Sequence, residues 1–391
     1  MEDRFDIHLF TPENPADDEV KLINEFLNAG LDVLHLRRPG YDRNHFEAIL
    51  DSIPLRHQHK IYLHDHYDLA EKYGCGIQFN SRNELIESSF KNVPISKSCH
   101  SLKETEENRH LSFTTLSPIF NSISKQGYMS NFSIETLSKK DLSRVIALGG
   151  ITLKNIKEVK AAGFRGSALL GDIWTTPNGV DKFLKYLRLR NISLQFITNG
   201  RDVEETVRQA EIVLSAGCRW IQVRMKETDE EEIKEALIRL LPKCQEAGAT
   251  LIVDDHYKLS NYCHGVHLGQ NDISIREARE EITPEKIIGL TVNTPDQIIS
   301  SRIDPPDYYG VGPYRFTSTK KNLSPILGLD GYKQLSALID REWVAIGGIR
   351  PNDIPAILKT GAAGIAVSSI ITQSENPYKQ TKQLIDILNG K

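Results

Sequence analysis

The chain repeats itself, and this restricts its fold more than any other feature. Blocks from the first half recur in the second in the same order. LHLRRP at 34–39 matches IQVRMK at 221–226, with Arg37 and Arg224 187 positions apart. YLHDHYDLA at 62–70 matches IVDDHYKLS at 252–260, 190 apart, and SPIFNSISK at 117–125 matches GPYRFTSTK at 312–320, 195 apart. IALGGI at 146–151 matches VAIGGI at 344–349, and GSALLG at 166–171 matches GIAVSS at 364–369, both 198 apart. A slowly growing offset along collinear blocks is what small loop insertions leave between two copies of one domain. The 391 residues therefore read as two homologous domains, roughly 1–190 and 191–391, rather than one large barrel. FLKYLRLR runs almost directly into ISLQFIT, so a short tether is expected, and the two copies invite packing as a pseudo-dimer.

Each half contains eight short apolar runs. In the second they span 194–199, 220–225, 250–255, 265–269, 286–292, 308–313, 342–348 and 364–369. In the first they span 7–12, 33–38, 60–65, 76–80, 95–100, 113–118, 145–150 and 166–171. Most are rich in Val, Ile and Leu, as buried parallel strands are. Between them lie stretches with helical apolar spacing, such as 203–217 and 231–248, that end near Gly. The expected fold is α/β, two tandem (β/α)8 TIM barrels, with chemistry at the C-terminal strand ends.

Net charge is only −4, which argues against a nucleic-acid coat or a polybasic membrane binder. No apolar run approaches a membrane span. The acidic N-terminus enters strand-like sequence at once and shows no signal-peptide pattern. The five cysteines, odd in number and without CxxC spacing, fit a reduced cytoplasmic compartment.

The second half concentrates polar residues at its strand ends. Gln222, Arg224 and Lys226 alternate and should share a face at the barrel mouth, with Lys320 approaching after strand six. Such cations suit phosphate or pyrophosphate, but they also suit salt bridges to neighbouring carboxylates. Asp255 ends strand three and Asp272 follows strand four. Mg²⁺ takes one or two carboxylates plus waters and phosphate oxygens, so a metal-bridged diphosphate accounts for both sets of charge. Alternatively Asp272 caps the helix that begins near SIREAR. Gly347–Gly348 and Ser368–Ser369 follow strands seven and eight, where this fold recurrently binds phosphate. Asp254, Thr291, Thr317 and Thr319 complete the polar set. The residues point to two anion sites, one Mg²⁺-assisted.

Residues 191–391 resemble thiamine phosphate synthase over essentially their whole length. The blocks are ITNG, QVRMK, VDD, GVHLGQND, GLTVNT, GPYRFTSTKK, AIGGI and GIAVSSI. The resemblance implies transfer of hydroxymethylpyrimidine diphosphate onto a thiazole phosphate, with release of pyrophosphate. It implies that Gln222, Arg224, Lys226 and Lys320 hold the pyrimidine diphosphate and that Asp255 and Asp272 bind Mg²⁺. It further implies that Thr291, Thr317 and Thr319 contact substrates and that Gly348, Ser368 and Ser369 hold the thiazole phosphate. Three positions depart from the family pattern: Asp254 stands for Asn, Thr291 for Ser, and Asn293 for His. A thiazole phosphate isomerase and a non-catalytic binder of thiamine precursors are the alternatives.

The first half resembles the tautomerase-like branch of the same superfamily. Arg37 and Lys125 match Arg224 and Lys320, and Ser122 and Ser124 replace the threonines. Pro39 replaces Lys226, His35 replaces Gln222, His64 replaces Asp254, and Asn83 aligns near Asp272. These losses argue against diphosphate binding. His35, His64, His66 and His100 offer acid/base groups near neutral pH, or metal ligands. Pro118 stands where the known tautomerases use His, so that activity does not transfer.

Overall fold

In the computed structural model, residues 5–80, 90, 93–121, 130, 132–177, 179–225, 228–316 and 325–390 are described. They form two compact units, Met1–Leu187 and Arg188–Lys391. Each unit is a closed barrel of eight parallel strands in sequential order, with helices between the strands.

The first barrel comprises β1 (Asp6–Phe10), β2 (Val33–Leu36), β3 (Ile61–Leu63), β4 (Gly76–Phe79), β5 (Ile95–Cys99), β6 (Phe113–Leu116), β7 (Val145–Leu148) and β8 (Gly166–Leu169). The second comprises β9 (Leu194–Ile197), β10 (Trp220–Val223), β11 (Thr250–Asp254), β12 (Gly265–Leu268), β13 (Ile287–Val292), β14 (Tyr308–Val311), β15 (Glu342–Ile346) and β16 (Gly364–Val367). Every expected strand is present, but most stop before the end of their apolar run. The polar residues that follow, such as Arg224 and Asp255, leave the hydrogen-bond ladder and enter the mouth loops.

Alternation along each strand sorts the side chains. Leu194, Phe196, Ile221, Val223, Leu251 and Val253 are buried in the large hydrophobic cluster, which also takes apolar residues of the surrounding helices. Gln195, Ile197, Gln222 and Asp254 take the alternate positions and line the barrel cavity. The helices start where their caps dictate. Asp202 accepts from Glu205 N and opens Val203–Ser215; Asp229 does the same for Glu230–Glu246. Among the described residues, no helix is long and apolar enough to cross a membrane.

Strand register makes the two barrels comparable position by position. His8 pairs with Val33 and Phe10 with His35, as Gln195 pairs with Trp220 and Ile197 with Gln222. His35 pairs with Tyr62, as Gln222 pairs with Ile252. His8, His35 and His64 thus occupy the places of Gln195, Gln222 and Asp254.

Candidate functional site

The second barrel opens at the C-terminal ends of its strands into a cavity of about 330 Å³. That volume lies within the usual range for small-molecule sites. Gln222, Arg224, Asp254, Asp255, Asp272, Thr291, Gly348, Ser368 and Ser369 all line it. Lys226, Thr317, Thr319 and Lys320 lie outside the described residues.

Arg224 and Asp254 form an ion pair, Nε to Oδ2 2.9 Å, at the cavity wall. The salt-bridge reading of Arg224 is therefore realised, with the residue that stands where the family has Asn. Gln222 donates to the other oxygen of Asp254. The extra carboxylate does not stand alone beside the cavity: one cation and one amide hold it.

Asp255 adopts a left-handed backbone conformation, φ 61°, uncommon for a residue other than glycine. Its carboxyl lies beside that of Asp272. Burial, then the negative charges of Asp254 and Asp272, push it well above the usual carboxylate range. Two carboxyl groups this close must share a proton or a cation. Two carboxylates beside an anion pocket match the Mg²⁺ preference for few protein oxygens and several from water and phosphate. Among the described residues, no group of three or more His, Cys, Asp or Glu forms a self-sufficient metal cage. Asp272 does not cap the next helix: Ser274 does, in a capping box with Glu277. Asp272 instead accepts from Gly269 N at 2.6 Å, which ties the loop after β12 to the pair.

The loops after β15 and β16 form the opposite wall. Gly347 and Gly348 both have positive φ, 95° and 66°. Arg315 braces their turn, donating to Gly348 O at 3.0 Å and to Asp353 at 2.7 and 3.0 Å. Ser368 Oγ is buried without a hydrogen-bond partner. Such an orphan in a cavity wall suits a ligand oxygen. Together these features define a (β/α)8 barrel whose mouth combines an arginine, a carboxylate pair and a left-handed glycine turn.

Sequence reading missed three residues: Gln195, His267 and Tyr308. Gln195 Nε2 reaches Gln222 Oε1 at 2.7 Å and Tyr308 Oη at 3.0 Å. His267 contacts Tyr308 Oη through Nδ1 at 2.8 Å and Thr291 Oγ1 through Nε2 at 2.9 Å. Glycine makes the room: a Cβ on Gly289 would lie 2.4 Å from His267 Nδ1. The available signal was a polar residue in the middle of a buried parallel strand (LQFI, GVHL), which burial statistics make informative.

The first barrel differs in its interior. His8 Nδ1 lies 3.0 Å from His35 Nε2, and His35 Nδ1 lies 3.1 Å from His64 Nε2. Phe10 stacks on His35 at 4.1 Å, and Phe113 meets His8 edge-on at 4.9 Å. Burial lowers His35 to about 3, and burial lowers His8 well below its ordinary value. This corrects the expectation that His35 serves as an acid/base group near neutral pH: a fully buried imidazole between aromatic rings has no solvation to support its charge. His66 faces Tyr41 O at 2.9 Å and His100 faces Ser117 O at 3.1 Å, so the four histidines do not gather. Arg37 pairs with Glu13 at 2.8 Å, where Arg224 has Asp254. Ser122, Ser124, Lys125 and Asn83 lie outside the described residues.

Comparison with known proteins agrees with this architecture. The profile of the family described as thiamine monophosphate synthase matches residues 7–173 and again 194–371. The chain belongs to that family. Thiamine-phosphate synthase of Phocaeicola vulgatus is 43% identical over 205 residues, covering 51% of this chain and 99% of that protein. Thiamine-phosphate synthase of Bacteroides fragilis is 44% identical over 203 residues, covering 50% and 100%. Among solved structures, thiamine phosphate pyrophosphorylase from Pyrococcus furiosus is 30% identical, covers 51% of this chain and 96% of that one, and has a TM-score of 0.47.

Proposed function

We propose that the second barrel is a Mg²⁺-dependent thiamine phosphate synthase, a transferase that joins hydroxymethylpyrimidine diphosphate to thiazole phosphate. The observation that carries this reading is the convergence of Arg224, the Asp255–Asp272 pair and the Gly348–Ser368 wall on one cavity. Relatives named thiamine-phosphate synthase, matched over nearly their whole length, support it.

In this reading the C–O bond between the pyrimidine methylene and the diphosphate breaks, and the thiazole nitrogen forms the new C–N bond. Pyrophosphate leaves with the electron pair. Asp255 and Asp272 hold Mg²⁺, which when bound offsets negative charge on the diphosphate oxygens. Arg224, Lys226 and Lys320 stabilise the charge that grows on the leaving group. Gln222, Asp254, Thr291, Thr317 and Thr319 position the substrates. Gly348, Ser368 and Ser369 hold the thiazole phosphate, so the nitrogen faces the reacting carbon. No protein nucleophile is required, and orientation supplies much of the rate.

The first barrel takes no part in this condensation in our reading. Pro39 stands for Lys226, His64 for Asp254, and Phe10 and the histidines fill its interior.

The test is an assay of the full chain with both substrates and Mg²⁺. Thiamine phosphate and pyrophosphate are expected, and Asp255→Ala should reduce turnover at least ~100-fold. Folded protein that binds both substrates calorimetrically yet makes no product would replace this reading with the non-catalytic binder. Full turnover by Asp255→Ala would remove the metal assignment.

A further inference from the structure

A buried hydrogen-bond chain runs beneath the cavity, and counting protons gives its direction. Asp254, paired with Arg224, only accepts. Gln222 must therefore turn its NH₂ group to Asp254, which leaves Oε1 facing Gln195. Gln195 answers with Nε2, and the second proton of that NH₂ group points to Tyr308 Oη, 3.0 Å away. Tyr308 is fully buried, and burial pushes its phenol far above the ordinary value, so it keeps its own proton. His267 Nδ1, 2.8 Å away, is the acceptor for that proton. An imidazole that accepts at Nδ1 carries its hydrogen on Nε2, which faces Thr291 Oγ1 at 2.9 Å. Thr291 thus receives a hydrogen bond, and its own hydroxyl proton is left for the cavity it lines. The reverse direction fails. It would give the Tyr308 oxygen two donors and leave the phenol proton buried without an acceptor.

We propose that Asp254 sets the direction of this chain and that Tyr308 is the positioning residue that carries it, so that Thr291 is held as a hydrogen-bond donor to the ligand. A fixed donor selects an acceptor-only group, and the oxygens of an ionised phosphate or diphosphate are such groups. The ligand part rests on the cavity taking phosphorylated substrates; the tautomer of His267 does not. The replacement of Asn by Asp at 254 acquires a role here. An Asn side chain allows either orientation of Gln222, whereas a carboxylate allows one.

The first barrel keeps polar contacts between His8 and His35, His35 and His64, and Gln78 and Ser98, but interrupts the chain at the tyrosine position. By register, Phe113 stands for Tyr308, Gln78 for His267 and Ser98 for Thr291. It also shows that this fold accommodates Phe at the tyrosine position, since Phe113 packs in the interior.

The experiment is ¹⁵N NMR of the histidine side chains in the full chain, with His267 assigned by its loss in His267→Gln. The wild type should show the Nε2–H tautomer. Tyr308→Phe and Asp254→Asn should each give a mixture of tautomers. An Nδ1–H tautomer in the wild type overturns the chain's direction. An unchanged tautomer in either variant overturns the role given to that residue. In the condensation assay, Tyr308→Phe should lower kcat/KM about tenfold and have no further effect in a Thr291→Val background. Additive losses would overturn the link to Thr291. Because the NMR arm needs no turnover, failure of the proposed activity and failure of this chain are read separately.

Discussion

Replacing Gly348 by Ala isolates what the turn after β15 contributes, because the same barrel contains a natural control. Gly348 has φ 66°, and Gly248 has φ 62°. A Cβ on Gly348 would lie 2.8 Å from Phe316 O and 3.0 Å from Arg315 Cβ. A Cβ on Gly248 would meet nothing within 4 Å. Both alanines carry the same left-handed backbone cost, about 1–2 kcal/mol. Only Gly348→Ala adds overpacking, about 1–3 kcal/mol. The carbonyl it meets belongs to a segment tied down by Arg315, so relief by a small shift is limited. The expected loss is therefore about 2–5 kcal/mol for Gly348→Ala against about 1–2 kcal/mol for Gly248→Ala. Amide hydrogen exchange of peptides covering Leu194–Ile197 and Glu342–Ile346 reads the opening of this barrel without assuming that the whole chain unfolds in one step. Calorimetric titration with inorganic phosphate reads the turn itself; affinity should fall in Gly348→Ala and hold in Gly248→Ala. Equal destabilisation by the two alanines, with equal phosphate affinity, would refute the argument.

Further outcomes are expected. Ser368→Ala removes a hydroxyl that has no partner, so stability of the free protein should change by less than about 0.5 kcal/mol while phosphate affinity falls roughly tenfold or more; a stability loss without an affinity loss would point to a structural hydroxyl. The lowered His35 and His8 predict that the first barrel is fully stable above the unfolded-state value near 6.5. As pH falls from there, the unfolded chain binds the protons first, and each histidine costs about 1.4 kcal/mol per pH unit until it protonates in the folded state too, which for His35 is at about 3. His35→Gln should flatten this slope in hydrogen exchange measured between pH 6 and 4; an unchanged slope would contradict the assignment. Arg38, fully buried, pairs with Glu19, and Glu19→Ala leaves that charge without its partner. The expected cost is about 3–5 kcal/mol, seen as lost protection in the first barrel alone.

Much of the molecule was legible from local pattern. The recurrence of short Val/Ile/Leu runs with helical stretches between them determined two eight-stranded barrels. The position of polar residues after each run placed Arg224, Asp255, Asp272, Thr291, Gly348 and Ser368 at one mouth, because strand ends in this fold converge. Strand termini were read too long, since apolar composition continues past the last ladder hydrogen bond.

Pairings across strands were not legible. Sequence alone left Arg224 open between an anion and a carboxylate, and left Asp272 open between a metal and a helix cap. The tertiary structure decided that Arg224 meets Asp254 and that Ser274 makes the cap. It also turned His35 from a candidate acid or base into a buried link between His8 and His64. The Ser274 cap is a local contact with Glu277; for Arg224 and His35 the physical reason is the same. Periodicity specifies which face a side chain takes, whereas charge state and hydrogen-bond direction depend on what the neighbouring strand places within about 3 Å of it. Those neighbours are 24 to 113 residues away along this chain. Only closing the barrel brings them together.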